Sequence, residues 1–140
     1  MAEPFYNVPL KALKIIMTKY FEYEIESCKR ILNFISNENI YLKERLTEIL
    51  KEKFDDALLQ DLEHFYELFL KKDELINFLR NEVAELEKII EDLSANIYVT
   101  INKLETADNN IQVAEKHFHK LRKDFTSYIA KNIYLKNVQL

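Results

Sequence analysis

Apolar residues recur at steps of three and four along most of the chain, the spacing of one face of an α-helix. The clearest series is Ile76, Leu79, Val83, Leu86, Ile90, Leu93, Ile97, Ile101 and Leu104. A further series begins at Ile111 and runs through Phe118 and Phe125. The chain has no glycine, and its two prolines, Pro4 and Pro9, precede the first strongly periodic segment. The pattern therefore predicts an all-α protein.

Short polar stretches predict where these helices end. Residues 36–39, Ser-Asn-Glu-Asn, separate a first helix from a second. Further on, an unbroken helix would place Lys72 on the apolar face, so we expect a turn at residues 71–73 with Asp73 as N-cap. In the third stretch, residues 106–110, Asn109 can cap the last helix.

These turns predict an antiparallel up-down-up-down four-helix bundle with helices over residues 8–36, 39–71, 73–105 and 109–136. The whole chain, 1–140, forms one domain in this interpretation, with tails at 1–7 and 137–140. Two alternatives stay open. One is a helix unbroken from Ile40 to Leu104, which would pair with another chain as a coiled coil. The other is a break at Lys53 to Asp56.

Two irregularities in the apolar spacing, centred on residues 19 and 56, would lie at the same height if the chain turned near residue 37. Five aromatic residues would then lie near one level of the bundle: Tyr20, Phe21, Phe54, Phe125 and Tyr128. We interpret this level as an aromatic core layer. The alternative is a small apolar pocket, because helical bundles hold ligands between facing helices.

The sequence offers little catalytic chemistry. A di-metal bundle needs two Glu-x-x-His motifs, and the nearest approaches are Asp61 with His64 and Glu115 with His119. The single cysteine, Cys28, lies in an apolar series and is expected to behave as a small buried hydrophobe. Without glycine there is no phosphate-binding loop or nucleophile elbow. We therefore predict no catalytic residue, no metal ligand and no cofactor, and a metal-dependent enzyme is the most distant alternative.

Charge is unevenly distributed along the chain. The net charge of −4 divides into −6 over residues 73–110 and +4 over residues 111–140, and we expect these two segments to lie on neighbouring helices. The basic residues cluster as Lys116, His117, His119, Lys120, Arg122 and Lys123. Nucleic-acid binding is the alternative, but the aromatic residues Phe118 and Phe125 fall on the apolar face, which argues against it.

Apolar residues outside the main series suggest a surface for another protein or a second copy. We single out Ile15, Tyr23, Phe34 and Tyr66 as an interaction patch. The N-terminal residues do not resemble a secretion signal, and no segment resembles a membrane span, so we expect a cytoplasmic protein. The leading functional hypothesis is a non-enzymatic helical interaction, scaffold or regulatory module, and the alternative is a bundle that binds an apolar small molecule.

Overall fold

A computed structural model of the chain describes residues 9–92 and 96–134. Three long helices account for most of it: α1 at Leu10–Leu50, α2 at Asp56–Glu91 and α3 at Ile97–Ile129. The last helix continues as a π-helical turn over Ala130–Tyr134. The all-α prediction is confirmed within this part of the chain, whereas the four-helix bundle is wrong. The predicted tails, and the predicted helix ends at residues 8 and 136, lie outside the described residues.

The first turn lies at residues 51–55, between α1 and α2. Asp55 caps α2, since its Oδ1 accepts a hydrogen bond from the Leu58 backbone N–H at 2.8 Å. The break at Lys53 to Asp56, which the sequence left as an alternative, is therefore where the chain turns. The unbroken helix from Ile40 to Leu104 is excluded by the same observation.

The second turn separates α2 from α3. Asn96 caps α3, and its Oδ1 accepts from the backbone N–H groups of Tyr98 at 2.9 Å and Val99 at 3.4 Å. Asn109, which the sequence suggested as the cap of the last helix, lies well inside α3. The predicted turn at residues 106–110 is thus wrong.

The other two predicted turns, at residues 36–39 and 71–73, are also helical. Their polar residues bind each other across the α1–α2 interface and do not end the helices. Asn39 is fully buried, and its Nδ2 donates to the Phe69 carbonyl at 3.0 Å and to Asp73 Oδ1 at 2.7 Å. Lys43 of α1 pairs with the other oxygen of Asp73. Lys72 stays within α2, where its side chain is half-buried and this burial lowers its pKa. Its long apolar stem can cover neighbouring apolar surface, so the residue need not end the helix.

The helices run up, down and up. Contacts between α1 and α2 pair early residues of one with late residues of the other, as in Lys29–Glu87 at 2.7 Å, so these helices are antiparallel. Contacts between α1 and α3 advance together, from Phe34–His119 to Glu38–Arg122, so these helices are parallel. Each helix packs against both of the others.

Buried apolar side chains form two clusters along the bundle. The first cluster, toward the start of α1, consists of Phe21, Ile25, Cys28, Leu32, Leu79, Val83, Leu86, Ile90, Leu104, Ala107, Ile111 and Ala114. The second, toward the end of α1, consists of Ile35, Leu42, Leu46, Leu62, Phe69, Ile76, Phe118, Leu121, Phe125 and Ile129. Both draw on all three helices, so the faces predicted from the spacing meet in a shared core.

Candidate functional site

The five aromatic residues predicted to share one level are divided between the two ends of the bundle. Phe21 belongs to the first cluster, and its neighbour Tyr20 is 52% exposed. Phe54, Phe125 and Tyr128 belong to or pack on the second cluster. Phe125 lies roughly 30 Å along the bundle axis from Phe21, judged from the helical rise and the Glu38–Arg122 contact. The matched irregularities misplaced them because the chain does not turn at residue 37.

Several aromatic rings pack against one another in and around the second cluster. Phe125 contacts Phe65 and Phe69 at ring-centroid distances of 5.3 and 5.2 Å, both edge to face. Tyr128 packs against Phe65 at 5.5 Å and donates its hydroxyl to Asp61 Oδ2 at 2.9 Å. Burial, followed by the Asp61 hydrogen bond and charge, raises the pKa of Tyr128 to about 12. Phe65 and Phe69 follow Leu62 at steps of three and four, which indicates one apolar face, but their partners could not be assigned without the correct turn.

The histidines do not converge on a metal-binding arrangement. His64, His117 and His119 are exposed, and His119 contacts the rings of Phe34 and Phe118 at 6.5 and 6.2 Å. Over residues 9–92 and 96–134, no three His, Cys, Asp or Glu side chains are placed to hold a metal ion.

Cys28 lies in the first cluster with 1% of its surface exposed. Burial, reinforced by the charges of Asp108 and Glu24, raises the pKa of its thiol to about 11. The thiol is therefore protonated at neutral pH and is a poor nucleophile in this setting.

The basic cluster on α3 is exposed at all six of its positions. Its ion pair with α1 joins Arg122 to Glu38 at 3.7 Å. The cluster was expected to lie on a helix beside the acidic residues 73–110, but residues 97–110 precede it on α3 itself, and its ion pair and ring contact are with Glu38 and Phe34 of α1. Phe118 and Phe125 are buried, at 0% and 3% exposure, so they are not available to stack on bases.

A shallow groove of about 460 Å³ lies between α2 and α3. Leu86, Ile89 and Ala107 contribute its apolar surface, and Glu82, Glu85 and Lys103 are charged residues at its sides. The groove lies near the first cluster and involves none of the five aromatic residues singled out in the sequence.

A row of exposed apolar residues follows the outer surface of α1. Its members are Ile16, Tyr20, Tyr23, Phe34 and Tyr41, which we call the α1 stripe. Each side chain is between 47% and 66% exposed. Their spacing continues through polar residues at the same alternation of four and three, with Ser27, Arg30 and Asn37 at the intervening positions. The stripe is therefore a second heptad pattern on α1, on a different face from the core.

Only part of the predicted interaction patch belongs to the α1 stripe. Tyr23 and Phe34 lie on it, whereas Ile15 is 51% exposed on an adjacent face of α1. Tyr66 is half-buried against the second cluster and lines a surface groove with Ile40. Sequence reasoning missed Ile16 and Tyr41 and assigned Tyr20 to the aromatic core layer. The signal that identifies all three is their four-and-three spacing from Tyr23.

Comparison with known protein families, with curated proteins and with solved structures found no match. No family is shown for the chain. Within the described residues, none of the helices combines the length and apolar composition needed to cross a membrane.

Proposed function

We propose that this protein is a non-enzymatic helical interaction module that binds another protein chain through the α1 stripe. The observation that carries the proposal is the exposure of five large apolar side chains, 47% to 66% each, along one face of a single helix. The second heptad spacing of that face is the spacing through which a helix packs against a partner helix.

Exposed apolar residues are common on protein surfaces when they occur singly. A row along one face of a helix is different, because its apolar side chains leave water together when a partner binds, even where Ser27, Arg30 and Asn37 interrupt the row. Three of the five residues are tyrosines, which combine a large apolar ring with a hydroxyl group that stays hydrated when no partner is bound. This composition suits a surface that is alternately exposed and covered.

Site-specific photo-crosslinking tests the proposal. A photoreactive phenylalanine analogue replaces Tyr23 in the full chain, and the protein is irradiated in the cells that normally produce it. We expect a covalent adduct with a protein chain. The matched control carries the same analogue at Phe78 of α2, which is 56% exposed and lies outside the stripe.

The comparison of the two positions decides the result. Adducts at Tyr23 that are absent at Phe78 support an interaction through the stripe. Equal adducts at both positions indicate non-specific contact, and no adduct at Tyr23 contradicts the proposal. Circular dichroism of both labelled proteins should match that of the unmodified chain, because both replaced rings are exposed.

A further inference from the structure

We infer that the partner of the α1 stripe is a second copy of this chain, bound with its α1 antiparallel, so that Tyr23 packs against Phe34 of the partner subunit. This inference rests on the proposed function, because it uses the same surface. It adds the identity of the partner, the orientation and the register.

The α1 stripe and the polar residues between its members have nearly the same order of apolar and polar positions when read from either end. The eight heptad positions are Ile16, Tyr20, Tyr23, Ser27, Arg30, Phe34, Asn37 and Tyr41, separated alternately by four and three residues. Reversing the order pairs Ile16 with Tyr41 and Tyr23 with Phe34. A two-fold axis between Ser27 and Arg30 repeats each of these pairs on the other side of the centre. Four of the eight layers are then wholly apolar.

The remaining layers pair side chains that can bind each other. Ser27 lies opposite Arg30 of the partner subunit, where a serine hydroxyl oxygen can accept from the guanidinium. Tyr20 lies opposite Asn37 of the partner subunit, where the phenol can donate to the amide oxygen. Polar layers of this kind fix the register of paired helices at some cost in stability.

Other arrangements of the same two helices are less favourable. A parallel pair in register would place Arg30 against Arg30 of the partner subunit, two like charges at the centre of the contact. Sliding the antiparallel pair by one heptad places either Phe34 against arginine or Tyr23 against serine. The order of apolar and polar positions therefore selects one orientation and one register.

The area is in the range of a weak dimer. A large aromatic side chain buries about 150–250 Å² in total, so a side chain that is half exposed still offers about 100 Å². Five such residues in each of two copies give about 1,000 Å² before neighbouring stems are included, close to the lower limit of a specific interface. We therefore expect a monomer–dimer equilibrium that depends on concentration.

Disulfide cross-linking between two variants, each with one cysteine added to the native Cys28, tests orientation and register. Ile16→Cys and Tyr41→Cys lie about 37 Å apart on one helix, so an antiparallel pair in this register joins them only when the two variants are mixed. We expect at least about tenfold more covalent dimer in the mixture than in either variant alone. Cys28 is buried, so the unmodified chain serves as the uncross-linked control. Cross-linking of each variant with itself, and not of the mixture, would overturn the inference.

Sedimentation velocity of the purified full chain across a concentration series provides the second measurement. Tyr23→Glu should weaken self-association at least about 100-fold, since the substitution occurs twice in the dimer and places a charge in an apolar layer. Phe78→Glu, on a side chain of similar exposure, should leave it unchanged. Equal effects of the two substitutions, or a chain that remains monomeric throughout, would contradict the second copy as partner.

The photo-crosslink at Tyr23 separates the two proposals. An adduct with twice the mass of the chain supports both. An adduct of another mass, together with a monomeric purified chain, supports the proposed function and overturns the dimer. A monomeric chain without any adduct overturns both.

Discussion

Replacing Asp73 with alanine should show how much the polar contact of Asn39 and Asp73 between α1 and α2 contributes to stability. Asp73 accepts from Asn39 Nδ2 at 2.7 Å and from Lys43, so Asp73→Ala removes both interactions. Asn39 has no exposed surface, and its second hydrogen bond, to the Phe69 carbonyl, remains. One buried amide N–H is therefore left without an acceptor.

The magnitude follows from three contributions to the free energy of unfolding. The unpaired N–H of Asn39 costs about 1–3 kcal/mol. Loss of the Lys43 pair costs up to about 1 kcal/mol, because both side chains remain 23–30% exposed. The substitution also stabilises the helix by about 0.5 kcal/mol, since alanine favours the helix more than aspartate does. We expect a net loss of about 2 kcal/mol and a fall of about 6 °C in Tm.

Urea and thermal unfolding followed by circular dichroism measure this change. Asp124→Ala is the matched control, because it makes the same substitution at an exposed position of α3, and it should change stability by less than about 0.5 kcal/mol. If Asp73→Ala is as stable as this control, the Asn39–Asp73 hydrogen bond does not stabilise the interface and the reasoning is refuted.

A substitution on the other side of the same contact should behave differently. Asn39 Oδ1 is buried and has no hydrogen-bond partner among the described residues. Asn39→Leu removes that unpaired atom together with the amide donors and fills the space with an apolar group of similar size. Because Asp73 keeps Lys43, we expect stability within about 1 kcal/mol of the unmodified chain, or higher. A loss as large as that of Asp73→Ala would contradict this account of the interface.

Two further predictions concern pH and chain connectivity. The folded pKa of Tyr128, about 12, lies above the ordinary value of 10.0, so its contribution is complete below about pH 10 and is lost as the pH rises through about 12. Over this range the Tyr128→Phe variant should therefore lose less stability than the unmodified chain in urea titrations. The difference should be at most about 1 kcal/mol, because the hydrogen bond to Asp61 is exposed to solvent, and identical pH profiles would contradict the assigned Asp61 contact. A short glycine-serine insertion after Lys53 should be tolerated, because this position lies in the turn between α1 and α2. The same insertion after Lys71 interrupts α2 and should lower Tm strongly. Equal Tm values for the two variants would contradict the three-helix chain path.

The spacing of apolar residues predicted which faces are buried better than it predicted where helices end. Ile76, Val83, Ile90 and Leu104 are all in the core as expected. The chain nevertheless turns between Ile90 and Leu104, at a point where the spacing continues without interruption. A turn that preserves the alternation of three and four cannot be seen in the spacing. The local signal was the group of turn-forming residues Asp92, Ser94 and Asn96.

Polar residues misled the prediction where they serve tertiary contacts. Asn39 and Asp73 are residue types that often cap helices, but here their side chains bind each other across the α1–α2 interface. Such a pairing depends on which segments pack together, which a single sequence does not specify. The five aromatic residues were assigned to one level for the same reason, whereas the exposure of Tyr23 and Phe34 follows from their positions on one helix and needs no knowledge of the chain path.

The three long helices of residues 9–92 and 96–134 place the start of α1 and the end of α3 at opposite ends of the bundle. α1 starts at one end, and the π-helical turn that follows α3 lies at the other, beside Arg45 near the end of α1. The 41 residues of α1 make this separation roughly 60 Å. A force pulling on Leu10 and Tyr134 acts parallel to the helix axes and shears the α1–α2 and α2–α3 contacts together. A bundle with the start of its first helix and the end of its last helix at the same end would instead open one helix pair at a time. We therefore expect the described three-helix path to resist a force along the bundle axis better than such a bundle would.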